Sequence, residues 1–195
     1  MEINLIWCQT TNLVIGQKTN DEKYYMPWDK NKIDINHFVE KTSGHAVLMG
    51  YNTYKSLNLK PLKNRINYIL TNSHYDELNV LFDEQNNPNE FIPVKTIDNC
   101  INLCEFNNID ELWIIGGKQL YTEMIYNSKY RCKIDNIWIT TLYDKVINQN
   151  ENTISFPICY MDIINLNFKK VYEKVFDDNQ KTIICQYQPI KSINN

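Results

Sequence analysis

No stretch of this chain is dense in lysine or arginine, and its 195 residues carry a net charge of −3. A nucleic-acid binder whose affinity rests on many phosphate contacts is therefore excluded, although isolated basic residues can still hold a small anion. No apolar run approaches the ~20 residues of a membrane span, so a membrane partner is not expected. No Cys-x-x-Cys pair occurs among the six cysteines, Cys8, Cys100, Cys104, Cys132, Cys159 and Cys185. The three histidines, His37, His45 and His74, stand at no ligand-like spacing, so no metal site is expected. Glycine is scarce, at five, and two of the five are adjacent at Gly116-Gly117. There is no internal repeat and no linker.

What is present is a globular composition, with 43% hydrophobic against 22% charged residues. The length suits one domain spanning 1–195 with a substantial core. Asn, Ile, Lys and Tyr are abundant, which reads as a bias of the source. Most cysteines lie in apolar stretches, as small core residues do. The N-terminus reads directly into Ile3-Asn4-Leu5-Ile6-Trp7 rather than a signal peptide. The expected compartment is the cytoplasm, with reduced thiols.

Short β-rich runs alternate with helical spacings. Strands are expected at Ile3–Cys8, Ala46–Met49, Ile66–Thr71, Phe91–Val94, Leu112–Ile115, Ile137–Leu142, Phe168–Val175 and Thr182–Tyr187, the last two forming a hairpin around Asp177-Asp178-Asn179. Helices are expected from Asp34 to Thr42, from Thr53 to Leu57 and after Gly117. The i, i+3, i+4, i+7 spacing of Ile97, Cys100, Ile101 and Cys104 marks another buried helix face. The run up to Lys32 reads as a long polar loop with Ile35, Phe38 and Val39 as the apolar stripe beyond it, and Asn72–Glu90 as polar connection, most loop-like at Glu84–Asn89. The fold class is α/β: a mostly parallel central sheet with an antiparallel C-terminal edge strand and helices on both faces.

Three constellations carry chemistry. In Ile114-Ile115-Gly116-Gly117-Lys118-Gln119-Leu120-Tyr121, adjacent glycines end a strand and a helix begins, so main chain and a positive helix terminus meet a ligand beyond the strand ends. Alone, such a pair is more often only a tight strand–helix junction. Asp34 and Phe38 share one helix face, which sets a carboxylate beside an aromatic wall; taken alone, Asp34 reads as an N-cap. Met49-Gly50 with Thr53 offers another phosphate contact, and Arg65, heading a strand, either clamps a carboxylate in bidentate fashion or is a plain surface arginine.

Order and spacing together resemble the dihydrofolate reductase family. The matching pieces are Val14-Ile15-Gly16, Met26-Pro27-Trp28, Asp34-x-x-x-Phe38, Met49-Gly50-x-x-Thr53, Pro61-Leu62-x-x-Arg65, Ile115-Gly116-Gly117 with Tyr121, and Phe156-Pro157, which cover nearly the whole chain. The resemblance implies reduction of 7,8-dihydrofolate to 5,6,7,8-tetrahydrofolate by hydride transfer from NADPH to C6 with protonation at N5. Asp34 matches the acid that anchors the pterin and supports that protonation, and Thr140 the threonine that orients it. Ile35, Phe38, Leu57 and Leu62 match the apolar wall, Arg65 the arginine for the glutamate α-carboxylate, and the backbone of Trp7 and Ile115 the carbonyls that touch the pterin amino group. Ile15, Gly16, Gly50, Thr53, Gly116, Gly117, Lys118, Leu120 and Tyr121 match cofactor contacts, with a cis Gly116-Gly117 peptide as a corollary. Antifolates such as methotrexate are implied ligands, and the chain is either a monomer or part of a bifunctional polypeptide with thymidylate synthase.

Two departures stand out. The loop between Gly16 and Met26 is roughly five residues longer than in compact bacterial members. Basic residues that usually meet the adenosine 2′-phosphate are replaced by Tyr51, Asn52, Asn72 and Gln119, leaving Lys118 or His74 to compensate. Neutral side chains offset a dianion poorly, so NADPH is the expected cofactor with room for NADH. A pyrimidine reductase of riboflavin biosynthesis is the enzymatic alternative, disfavoured by Asp34 together with Arg65. A catalytically silent scaffold protein is the other, disfavoured by the retained acid and glycine pair.

Overall fold

A computed structural model describes residues 1–85 and 91–190 of the chain. Most of the loop-like stretch at Glu84–Asn89 and the polar ending from Lys191 lie outside the described residues. In chain order the elements are β1 (Glu2–Thr10), β2 (Val14–Lys18), β3 (Tyr24–Tyr25), α1 (Lys32–Thr42), β4 (Ala46–Gly50), α2 (Tyr51–Ser56), β5 (Ile66–Leu70), α3 (Tyr75–Gln85), β6 (Ile92–Val94), α4 (Ile97–Phe106), β7 (Glu111–Gly116), α5 (Lys118–Tyr126), α6 (Ser128–Arg131), β8 (Asn136–Leu142), β9 (Thr153–Ser155), α7 (Tyr160–Asn167), β10 (Phe168–Val175) and β11 (Thr182–Pro189).

Eight strands form the central sheet in the order β10-β11-β8-β1-β7-β4-β5-β6. From β8 to β6 every neighbour is parallel, while β11 runs antiparallel to β8 and to β10. The expected α/β architecture is thus present; the antiparallel strand lies one place in from the edge, with β10 outside it. Central strands are buried on both sides, as parallel strands under helices must be: β1 is buried from Ile3 to Thr10. Outer β10 is exposed along its length except for Phe168.

Period-two alternation sends neighbouring side chains of one strand into opposite layers. Leu5, Trp7, Leu48 and Ile114 join a layer with α4, α5 and α7, whereas Ile6, Met49 and Trp113 join one with Tyr54 of α2 and Leu78 of α3, against which Phe38 of α1 packs. Each fully buried aliphatic side chain contributes about 1.5–3 kcal/mol of transfer free energy. Helix α4 shows how directly the spacing works: Ile97, Cys100, Ile101 and Cys104 are its buried residues, and Thr96 caps it by accepting from the Asn99 N–H.

Four expectations need correction. The stretch before Lys32 is not one polar loop, because β2 pairs with β3 and, across the chain, with β9 in a second small sheet. That pairing is non-local and leaves no trace in a short window. The segment after Asn72 holds α3, whose inward Leu78 is outnumbered by polar neighbours. Val39 lies 45% exposed, so the inward stripe of α1 is Asp34, Ile35 and Phe38 rather than Ile35, Phe38 and Val39. Among the cysteines, Cys8, Cys100 and Cys104 are buried, but Cys132 and Cys159 are exposed at helix ends. Among the described residues no helix is long and apolar enough to cross a membrane.

Candidate active site

A cavity of about 1010 Å³ opens beyond the carboxyl ends of β1, β4, β5 and β7. Here the chain leaves β1 with β8 on one side and β7 on the other, the kind of switch point at which parallel sheets bind ligands. One ligand pocket usually measures about 300–1,000 Å³, so this one stands at the upper end of that range. Its floor is Ile6, Trp7 and Cys8 of β1 with Ile115 of β7. One wall is Asp34, Ile35 and Phe38 of α1, continued by Leu57 and Leu62. The small sheet covers the mouth with Gly16, Gln17, Tyr24, Tyr25 and Ile154.

Asp34 is the single carboxylate in this lining and is only 9% exposed. It is not the N-cap of α1. That role belongs to Asn31, whose Oδ1 accepts from the Asp34 N–H at 2.9 Å. Asn31 Nδ2 in turn donates to Gln180 Oε1 at 2.6 Å and Thr182 Oγ1 at 2.7 Å, which fastens the start of α1 to the β10–β11 hairpin. Asp34 is therefore delivered by a cap that is itself buried. Burial raises the Asp34 pKa above the ordinary carboxylate value, and the Thr140 and Cys8 side chains partly oppose that. Thr140 Oγ1 is buried without a hydrogen bond of regular geometry, yet it lies near enough to bias the acid.

The glycine pair shapes the floor by its lack of side chains. Gly116 sits at φ +109°, and a Cβ there would lie 2.8 Å from the Tyr121 ring. A Cβ on Gly117 would lie 3.1 Å from Thr53 Oγ1. The peptide joining them is cis. Tyr121 then reaches across the floor and donates to the Ile6 carbonyl at 2.7 Å, while Tyr160 donates to the Tyr121 carbonyl at 3.0 Å. Gly117 caps α5 with no side-chain bond, so the first N–H groups of this nine-residue helix stay open to the cavity.

At this far end the lining becomes polar and mostly neutral: Tyr51, Asn52, Asn72, Ser73 and Gln119, with Lys118 and His74 as its basic groups. The His74 ring stacks on Tyr51 with centroids 3.9 Å apart, and its Nδ1 lies 3.3 Å from Glu77 Oε2.

Of the residues singled out from sequence, Trp7, Ile15, Gly16, Asp34, Ile35, Phe38, Gly50, Thr53, Leu57, Leu62, Ile115, Gly117, Lys118, Leu120 and Tyr121 line this one cavity. Thr140, Gly116 and Arg65 do not. Thr140 is buried on β8 opposite Cys8, and Gly116 lies under Tyr121. Arg65 stands behind Phe38, its guanidinium 5.5 Å from that ring, with Nε donating to Thr42 Oγ1 at 2.8 Å and Nη2 to Ser43 Oγ at 3.2 Å. Sequence reasoning missed Ile6, Cys8 and Asn31. Ile6 and Cys8 alternate with Trp7 on β1, so a strand parity count would have turned them toward α1.

Comparison with known proteins now adds to this geometry. A family model described as "Dihydrofolate reductase" matches residues 2–187. A segregation and condensation protein A of Mycoplasmoides gallisepticum is 35% identical over 125 residues, covering 63% of this chain but 18% of that protein. The chain spans about a fifth of the length of such relatives, 18% and 21% in two of them. A dihydrofolate reductase of Buchnera aphidicola subsp. Acyrthosiphon pisum is 31% identical over 137 residues, 69% of this chain and 73% of that one. In fold, the chain is similar to a dihydrofolate reductase from Enterococcus faecalis solved in complex with NADP(H) and RAB-propyl, with TM-score 0.69, 19% identity and 97% coverage of both chains.

Proposed function

Because the chain belongs to the dihydrofolate reductase family, we propose that it reduces 7,8-dihydrofolate to 5,6,7,8-tetrahydrofolate with NADPH. The observation that carries this reading is the pairing, in one cavity, of a desolvated carboxyl at the apolar end with a glycine-lined helix terminus at the other.

The lone carboxyl meets the needs of a pterin ring. Its two oxygens accept from the ring's amino and N–H groups, as a bidentate, charge-assisted pair. Ile35, Phe38, Leu57 and Leu62 exclude water around it, which strengthens each polar contact inside. Its raised pKa lets Asp34 keep a proton at the site at higher pH than an exposed carboxyl would, and so favours protonation at N5. Arg65, already fixed over Phe38 by Thr42 and Ser43, offers a guanidinium edge to the glutamate carboxylate beyond the wall. Antifolates built on the same ring and tail, methotrexate among them, fit the same groups.

The residues present fit a dinucleotide. Gly117, which lines the cavity without a side chain, lets the main chain approach it, and the open N–H groups of α5 suit its phosphates. Thr53, Lys118, Leu120 and Tyr121 complete that wall. When bound, NADPH supplies the hydride that C6 of the pterin receives. The 2′-phosphate end is weakly basic, so NADH also serves, less efficiently. A cytoplasmic setting suits the buried free thiols of Cys8, Cys100 and Cys104.

The test is the absorbance decrease at the nicotinamide band, with NADPH and NADH side by side. Oxidation that depends on dihydrofolate, with only a modest preference for NADPH, is the expected result. Folded protein that oxidises neither cofactor in the presence of dihydrofolate would overturn the reading.

A further inference from the structure

Helix α1 needs only an acceptor at its cap, and Ser, Thr or Asp would supply one about as well as Asn. What Asn31 adds is an amide donor. The residue is 6% exposed, so its Nδ2 must find partners inside the protein. It meets Gln180 Oε1 at 2.6 Å, Thr182 Oγ1 at 2.7 Å and Asp178 Oδ2 at 3.2 Å, all in the turn before β11 and at its first residue. That place is itself fixed. The Thr182 N–H and hydroxyl donate to the two oxygens of Asp178 at 2.7 and 2.8 Å, and Thr182 is fully buried opposite Leu142 of β8. The anchor is thus a sheet position rather than a loop tip, and such positions hold geometry more tightly.

The other arm of the same side chain ends on the acid, where Oδ1 accepts from the Asp34 N–H at 2.9 Å. One planar amide therefore joins a strand 151 residues further along the chain to the backbone of the cavity's single carboxylate. Neither Asn31 nor any of its three hairpin partners lines that cavity.

We propose that Asn31 is a positioning residue: through its amide, Thr182 and Gln180 of the hairpin set the height and rotation of the first turn of α1, and with it the place of the Asp34 carboxyl. Without the amide the helix stays capped, but its first turn is free to move against the strand floor. A misplacement of about 1 Å at a reacting group costs on the order of 10²-fold in rate. The consequence for turnover rests on the reductase reading; the hold on α1 does not.

The experiment is a double-mutant cycle in the full chain. Asn31→Ser keeps an oxygen for the cap and gives up the amide, whereas Thr182→Val removes the hairpin acceptor and leaves the cap in place. Each single variant lowers kcat with dihydrofolate by about tenfold, while KM for NADPH is unchanged, because this link does not hold the cofactor end. The double variant is no slower than the slower single one, since both changes break the same link. Thr182→Ser, which retains the hydroxyl, keeps the wild-type kcat. Unchanged kcat in the single variants, or losses that multiply in the double one, would overturn the proposal; a plain packing role for Thr182 gives the multiplied result. Should Asn31→Ser fail to fold, Thr182→Val against Thr182→Ser decides: equal kcat refutes the link, and a loss confined to valine supports it.

Hydrogen exchange at the Asp34 amide of the ligand-free chain makes the same comparison without turnover. Exchange there is faster in both single variants and no faster again in the double one, with the amides of α4 unaltered. A wild type that turns over no dihydrofolate, with exchange following this pattern, would leave the link standing and remove the reductase reading. A wild type that turns over dihydrofolate, with exchange equal in every variant, would do the reverse.

Discussion

The two ends of the cavity are built by different means. The Asp34 end is made of strand floor and a helix whose cap is buried against a distant hairpin, so every group there is positioned by the core. The Tyr51–His74 end is made of half-exposed and exposed side chains at strand–helix junctions, held by one ring stack and a 3.3 Å contact with exposed Glu77. Under the proposed reduction, chemistry falls to the first end and recognition of cofactor charge to the second. A surface Tyr, Asn or Gln can be exchanged at little structural cost, whereas a buried carboxyl cannot.

Removing the acid breaks the comparison most severely. Asp34→Asn is expected to lower turnover at neutral pH by about 10²–10⁴-fold, the range of a general acid–base group, with partial recovery in acid. The same variant is expected to melt at a higher temperature at neutral pH. The sign follows from the raised pKa: the folded state binds a proton more readily than the unfolded one, so stability falls as pH rises through the folded-state value. Asparagine carries no charge to desolvate, and a calorimetric scan at pH 7 checks the direction.

Next in size is Arg65→Leu, which leaves the pterin end intact. Methotrexate and folate binding are expected to weaken by about 10–100-fold, as for loss of one charge-assisted pair, with little change in the rate of the bound complex. Titration by fluorescence quenching reads this, and unchanged methotrexate affinity would remove Arg65 from the site. Smallest is Tyr51→Arg at the neutral end. A guanidinium there is expected to raise the preference for NADPH over NADH by about tenfold, one partly exposed phosphate contact's worth. An unaltered cofactor ratio would place the 2′-phosphate elsewhere.

The same contrast explains what was legible in the sequence. The α/β class, the face of α4 and the glycine pair all follow from local pattern: spacing at Ile97 to Cys104, apolar runs ending in Gly50 and Gly116. Asp34 and Phe38 were placed correctly on one wall because four residues make one turn. Their stripe was misread at Val39, which the neighbouring fold leaves in solvent. What escaped was non-local. The pairing of β2 with β9 joins segments far apart in the chain, and the cap Asn31 is tied by its Nδ2 to Asp178, Gln180 and Thr182 of the distant β10–β11 hairpin. The net direction of the Asp34 pKa depended on burial set against Thr140 and Cys8, a balance that only assembled strands reveal.

The most direct test of the account is the pH profile of dihydrofolate-dependent NADPH oxidation in wild type and in Asp34→Asn. The account predicts a wild-type rate that falls as pH rises through an apparent pKa above the ordinary carboxylate range, and a variant whose residual rate no longer shows that step. The same step in both proteins would contradict the role given to Asp34.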